Sequence, residues 1–513
     1  MCIRDRRSGA GFRGRQLISV LRLPVSPLIG LTLGGTFTAS GLAMLVCALV
    51  GFTDGNAGSA FAIPGTVTTI IGLLLLASAF DPDRESVAVT PVGGLLAVTL
   101  AWTLASATGV APLLAAGTFD SPLDAFFESV SGFTTTGATL VNDIEAQPDA
   151  VLVWRSLMQW LGGIGIVVLV VAIAPISGPG IQKAFYAETS SVTSDRLTPR
   201  IIDTAKIIAG IYLVLSLAAA LAYLIAGMGP FDAINHSMTT IATGGFSTRT
   251  ASIGAFDSNA IEIVAIIGMI IGGINFAFYW RAIRGRGLRP QSSEVIGFLA
   301  ILAGISLAVG ISLWLSDDSA GFGRTALDSV FSVTTVITTT GYTTADFDSW
   351  NSFARTSILL IMFIGASAGS TAGGIKVIRV MLLGKAAFQE LQRQVRPNAV
   401  RVLRIGAHVY REDVRRAVLG FFLIYLIVYA FGTLAMAAGG LDPLTALSAS
   451  SATLNMVGPG IGEIGALQNY EALSPFNRAV ACVLMIAGRL EVFTVVALLA
   501  AAWDRLRSVR LGA

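Results

Sequence analysis

The chain has 513 residues, 54% of them hydrophobic and only 13% charged, with mean hydropathy +0.75 and a net charge of +3. Soluble domains carry about 25% charged residues, so this composition excludes an ordinary water-soluble fold and points to lipid as the solvent. Three scattered cysteines (Cys2, Cys47, Cys482) and two histidines (His236, His408) imply neither a disulfide framework nor a metal cluster, and they leave little for imidazole catalysis.

In chain order, residues 1–27 are basic and lack an apolar core of signal-peptide length. They read as a cytoplasmic leader or as a spurious start. Apolar runs long enough to cross roughly 30 Å of hydrocarbon then recur at 28–52, 61–80, 92–114, 151–175, 204–227, 259–283, 293–315, 352–380, 415–438 and 476–502. The expectation is an all-α polytopic membrane protein with ten spanning helices. Of the 34 Lys and Arg residues, 28 fall on the side that holds both termini, five on the other, and Arg489 lies within an apolar run. The positive-inside rule then puts both termini in the cytoplasm.

Between spans lie shorter, half-polar segments of a length that suits re-entrant or buried helices. DAFFESVSGFTTTG (124–137), DAINHSMTTIATGG (232–245), DSVFSVTTVITTTG (328–341) and TALSASSATLNMVG (445–458) align without a gap at their final glycine. Each sits between two spans and enters from the outside. Asp124, Asp232 and Asp328, with Thr445, are expected to cap the starts of short helices. The unit is helix, half-helix, glycine-bearing turn, helix, used four times. Two extra helices occupy 28–90, and the repeats cover 91–203, 204–292, 293–414 and 415–513. A single Thr-Gly segment could be a packing kink; four in register predict turns arranged around a central pore.

Non-helical backbone at membrane depth is tolerated where it is buried or lines a water-filled path. Such turns can aim carbonyl oxygens at an axis and replace the water shell of a cation, and the inward C-terminal ends of the half-helices favour positive charge. A weakly hydrated monovalent cation suits this arrangement better than a divalent one.

At this point the chain resembles the TrkH potassium-uptake subunits of the Trk/Ktr/HKT superfamily. SGFTTTGAT, WLGGIGIVVL, YAE (186–188), TPRIIDTAK, HSMTTIATGGFST, TTTGYTT, NMVGPG and GRLEVFTV carry the resemblance from about residue 28 onward. The two extra helices fit TrkH better than KtrB, which has eight. The resemblance implies potassium-binding backbone carbonyls at Thr135, Thr136, Gly137, Thr243, Gly244, Gly245, Thr339, Thr340, Gly341, Met456, Val457 and Gly458. In plant relatives a serine at the first filter glycine accompanies sodium transport, so four glycines favour potassium. It also implies a homodimer with one pore per chain, a bacterial inner-membrane location and a TrkA-type cytoplasmic nucleotide-binding regulatory subunit. Potassium is then a transported ligand and not a cofactor.

FIGASAGSTAGGIK (363–376) holds too many glycines for an unbroken helix, each costing about 0.8–1 kcal/mol relative to Ala. Its Gly-Gly-Ile-Lys lacks the phosphate-binding spacing. The residues allow a small-residue packing face; the resemblance implies an intramembrane gate loop with Gly365, Gly369, Gly373, Gly374 and Lys376. It also puts Arg489 in the cavity below the filter as a positive barrier; the residues by themselves also allow a structural pair of Arg489 with Glu491 or with a backbone carbonyl. Arg155, Arg355 and Arg478 are expected to snorkel at the interface. The basic stretch from Lys376 to Arg416 would meet anionic lipid or dock the regulatory ring. No dinucleotide-binding motif or nucleic-acid-binding pattern is present, and paired catalytic groups are lacking, so an enzyme is not expected. A sodium- or proton-coupled symporter of the same superfamily is the alternative.

Overall fold

The computed structural model describes residues 27–53, 57–79, 91–173, 201–283, 293–316, 321–396, 402–406, 408–492, 494–498 and 503. The leader, the YAE tripeptide, most of the basic residues before Lys206, and Arg505 to Arg510 lie outside these.

The chain begins with α1 (Pro27–Thr53) and α2 (Gly58–Ala79), which pack through glycines about two turns apart. A Cβ at Gly34 would stand 2.8 Å from Leu76 N, and one at Gly65 would stand 3.1 Å from Gly41 O. In lipid, helices associate by such backbone approach and not by hydrophobic exclusion. Then come α3 (Pro91–Thr108), α4 (Val110–Ala115), the short α5 (Pro122–Thr134), α6 (Asp149–Ile173), α7 (Ile201–Ile225) and the short α8 (Pro230–Ile241). The second half runs through α9 (Asn259–Gly273), α10 (Phe276–Ile283), α11 (Ser293–Trp314), the short α12 (Phe322–Ile337), α13 (Ser352–Ile361) and α14 (Val377–Val395). It ends with α15 (Glu412–Ala438), the short α16 (Pro443–Leu454) and α17 (Pro475–Arg489). Among the described residues, six helices are long and apolar enough to cross a membrane, and seven if the bent pair α9–α10 counts as one span.

The burial pattern is that of a protein in lipid. Leu49, Ile63, Leu217, Leu307 and Phe431 are all more than 60% exposed. Meanwhile Ser129, Ser131, Thr134, Thr239, Thr240, Thr334, Ser448, Ser450, Ser451 and Thr453 of the four short helices are fully buried. Large apolar side chains line the outer surface of the long helices, while the hydroxyls of the short helices are turned inside. Three of these hydroxyls, on Thr134, Thr239 and Thr453, bond a carbonyl one turn back, as Thr453 Oγ1 does to Ala449 O at 2.6 Å, which lets a polar side chain sit in a helix away from water.

Three expected spans are interrupted. The 259–283 run bends by 91° at Ile274–Asn275, where Asn275 Oδ1 accepts from Ala277 N at 2.8 Å and restarts the helix. The 352–380 run is divided by the glycine-rich loop. The 476–502 run stops at Arg489, because Glu491 and Val492 take φ of 56° and 38°. The basic stretch after α14 contains an antiparallel hairpin, β1 (Leu403–Ile405) with β2 (His408–Tyr410), in which Leu403 pairs with Tyr410. Leu403, Ile405 and Tyr410 pack with Ile378, Leu382 and Ala368 of the glycine-rich loop. These strands were not expected from the sequence; each is only three residues long.

The capping expectation needs correction. The short helices start earlier than Asp124, Asp232 and Asp328, at Pro122, Pro230 and Phe322, with Ser121, Gly229 and Gly321 at the cap positions. The aspartates instead form ion pairs: Asp124 with Arg478 at 2.6 Å, Asp232 with Arg249 at 2.8 Å and Asp328 with Arg324 at 2.6 Å. In α16 the cap is Asp442 and not Thr445; it accepts from Leu444 N at 2.9 Å and Thr445 N at 3.2 Å.

Bonds from Thr445 and Leu444 hold the exposed Asp442 carboxyl below its ordinary range. Its stabilisation is therefore present above the unfolded value of about 3.9 and is lost as pH falls through the lower folded value. Asp442→Ala is expected to cost about 1 kcal/mol. In detergent melts the difference from the unaltered protein should vanish in strong acid; a pH-independent difference would refute the capping role.

Candidate functional site

Each short helix ends in the same way. Thr135, Thr243, Thr339 and Met456 have φ of 57°, 51°, 53° and 59°, and Gly137, Gly245, Gly341 and Gly458 have φ of 83°, 78°, 84° and 90°. The amide of each left-handed residue donates three residues back (Thr135 N to Gly132 O, 3.0 Å), and the next amide donates five back (Thr136 N to Ser131 O, 2.9 Å). The pairs Thr243/Gly244, Thr339/Thr340 and Met456/Val457 repeat this pattern. This is a Schellman closure, built on side chains that disfavour it: a left-handed non-glycine residue costs on the order of 1–3 kcal/mol. The closure spends the amide donors inside the turn, while the alternating sign of φ swings successive peptide planes and frees carbonyl oxygens.

The four turns close on one another. A Cβ on Gly137 would collide with Gly244 O, one on Gly245 with Thr340 O, and one on Gly341 with Val457 O. On Gly458 it would come within 2.7 Å of Thr136 O, which completes the ring. Glycine is required twice at each position, by the positive φ and by the neighbouring carbonyl. The twelve candidate filter residues are thus brought together around one axis.

Behind the ring lies a buried ion pair that sequence reasoning missed. Arg155 Nε meets Glu128 Oε1 at 2.9 Å, with the side chains 1% and 0% exposed. Leu140 N donates to Glu128 Oε2 at 3.0 Å, Arg155 donates to Ser247 O at 3.0 Å, and its guanidinium stacks 4.1 Å from the Phe246 ring. The pair therefore ties the outgoing legs of the first and second turns to α5 and α6. Arg155 does not snorkel, because Glu128 on α5 meets it inside the protein. Arg355 and Arg478 are also paired, with Asp348 at 2.9 Å and Asp124 at 2.6 Å. An acidic residue at helical distance from the turn was the available signal for Arg155.

The glycine-rich loop lies against the ring. Ile364 and Ile375 form a parallel bridge, with Gly365 N donating to Ile375 O at 2.9 Å. A Cβ on Gly365 would collide with Gly373 O, and Gly369 and Gly374 take φ of 73° and 67°. Gly373 N donates to Thr339 Oγ1 at 2.6 Å, and Thr243 Oγ1 reaches Thr371 Oγ1 at 3.1 Å. Lys376 Nζ donates to Ala372 O within the loop. Arg489, 2% exposed, donates to Thr371 O at 3.0 Å and to Gly162 O at 2.8 Å. Glu491 turns away to Arg379 at 2.9 Å. A cation held by carbonyls at the centre of the protein is thus fastened to the loop beside the ring.

Arg155→Met leaves Glu128 buried without its partner and is expected to destabilise the protein by about 3–5 kcal/mol. Glu128→Gln combined with Arg155→Met should recover a large part of the loss in a double-mutant cycle of thermal melts; additive losses would deny the coupling.

The sequence profile of the TrkH family, described as cation transport protein, matches residues 58–307 and 318–507. Among curated proteins, the Trk system potassium uptake protein TrkH of Halomonas elongata is 39% identical over 459 residues, covering 88% of this chain and 94% of that protein. The Trk system potassium uptake protein TrkH of Escherichia coli K12 is 38% identical over 479 residues, covering 92% and 96%. The crystal structure of the potassium transporter TrkH from Vibrio parahaemolyticus superposes with a TM-score of 0.83 at 36% identity, covering 94% of this chain and 98% of that one. With its helical membrane fold, its ring of turns and this extent of similarity, the chain belongs to the TrkH family of cation transport proteins.

Proposed function

We propose that the chain is the pore-forming subunit of a potassium uptake system in the bacterial inner membrane. The observation that carries this reading is the ring of four left-handed turns, each with its first two amides bonded back into the helix and a glycine packed on the next turn's carbonyl. Carbonyls gathered in this way replace the hydration of a large monovalent cation. The names of the relatives at 38–39% identity point to the same ion.

In this reading eight of ten spans carry four pore repeats around the axis, the other two are extra helices at the N-terminal end, and both termini lie in the cytoplasm. The distribution of Lys and Arg supports that orientation. The glycine-rich loop is the gate. Arg489 raises the barrier to a cation beneath the filter, and its bonds to Thr371 O and Gly162 O hold loop and charge together. A TrkA-type nucleotide-binding ring on the cytoplasmic side acts on the loop through α14 and the β1–β2 hairpin, whose apolar residues pack with Ala368. The subunit works as a homodimer with one pore per chain.

The test is growth of a potassium-uptake-deficient bacterium at low potassium, with the matching regulatory subunit present. The unaltered chain should restore growth. Gly137→Ser, strained at φ 83° and pressed against Gly244 O, should restore it poorly and admit sodium. No rescue by the unaltered chain would overturn the potassium reading. In vesicles lacking the regulatory ring, Arg489→Ala should raise rubidium flux by about tenfold, equivalent to about 1.4 kcal/mol of barrier. Unchanged flux would remove Arg489 from the gate.

A further inference from the structure

The four turns share a backbone, but they are not braced alike. In the first, Thr134 Oγ1 donates to Val130 O at 2.7 Å and lies 2.8 Å from Thr136 Oγ1. In the third, Thr338 Oγ1 donates to Thr334 O at 2.7 Å and lies 2.8 Å from Thr340 Oγ1. Each of these turns carries its own hydroxyl strut across the left-handed residue. The second turn has Ala242 and Gly244 at the equivalent positions, and the fourth has Asn455 and Val457. Neither can form the strut.

Both are held from outside instead. Gln159, fully buried on α6, donates from Nε2 to Gly244 O at 2.5 Å and accepts from Phe246 N at 3.0 Å. Its amide therefore spans Gly245 and fills the space that a side chain on Gly244 would need. Tyr470, 2% exposed in the loop after the fourth turn, donates from its hydroxyl to Gly458 O at 2.6 Å. Its own amide is anchored on Thr139 O at 2.9 Å, and its ring lies 5.5 Å from Phe127.

We infer that Gln159 and Tyr470 are positioning residues of the ring that help determine which ion it selects, by replacing on the second and fourth turns the hydroxyl strut of the first and third. The inference rests on the reading of the ring as a potassium filter. A carbonyl oxygen has two lone pairs, so a donor on one leaves the other for an ion and fixes its direction. Gly244 O is also the atom on which Gly137 packs, so Gln159 sets the spacing between two turns as well as the direction of one oxygen. Losing either donor frees one oxygen on one quarter of the ring. A potassium-sized cavity then relaxes toward smaller ions, while the fold retains its other contacts.

The test uses the full-length protein in lipid vesicles and reads the ratio of potassium to sodium flux, which does not depend on how much protein is active. Gln159→Leu and Tyr470→Phe are each expected to lower that ratio by about fivefold, the scale of one hydrogen bond. Transplanting the strut with Gln159→Ala, Ala242→Thr and Gly244→Thr together should bring the ratio back toward that of the unaltered chain. Tyr470→Phe removes only the hydroxyl and decides the matter if the Gln159 variants do not fold. Total flux that falls at a constant ratio in the folded variants would reduce both residues to structural support and overturn the inference. An unaltered chain without preference for potassium would instead overturn the proposed function itself.

Discussion

The structure depends on one backbone constraint. Four short helices must end in a left-handed residue inside a protein with little water, and three of those residues are threonine, whose branched side chain resists that conformation. Such a conformation persists only when its surroundings over-determine it. Two amides of each turn bond back into the helix, the glycine that follows packs on the next turn, and the outgoing legs of the first and second turns are tied to neighbouring helices. Removing the hydrogen bonds among them would leave polar backbone unpaired in a low-dielectric interior.

The organisation around the ring follows from that constraint. The short helices keep their hydroxyls inside, where Thr134, Thr239 and Thr453 bond carbonyls of their own helices, and the long helices expose Leu, Ile and Phe because lipid surrounds them. The Glu128–Arg155 pair is buried because it grips two outgoing legs at once through Leu140 N and Ser247 O. The α9–α10 bend serves the glycine-rich loop: Gly272 and Gly273 offer carbonyls to Thr371 N and Ser367 N, and Gly369 O accepts from Phe276 N. Breaks in three apolar runs thus converge near the ring. They make room for non-helical backbone that is satisfied by other non-helical backbone.

Much of the candidate site was legible in the sequence because its determinants are local. A Thr-rich segment with glycine at a constant offset encodes the closure of a helix and the positive φ that follows it, and both depend on a few consecutive residues. The excess of glycine between Phe363 and Lys376 likewise announced a break. Misreadings arose where a side chain had alternative partners. Asp124 and Asp232 have the composition of caps but sit inside the first turn of their helices, where an arginine from elsewhere reaches them. Gln159 and Tyr470 carried no local signal, since nothing in their own neighbourhoods marks a carbonyl that needs a donor.

The sequence by itself determined the solvent, the apolar runs, the four turns and the glycines they require, since apolar length and backbone permissiveness are properties of short stretches of chain. Tertiary structure decided which turn is braced by which residue, where Arg155 finds its acid, and that Arg489 grips the loop. Those bonds join Arg489 to Gly162 across 327 positions and Arg478 to Asp124 across 354. A contact of that range is set by how helices pack, and packing is decided by all of them together.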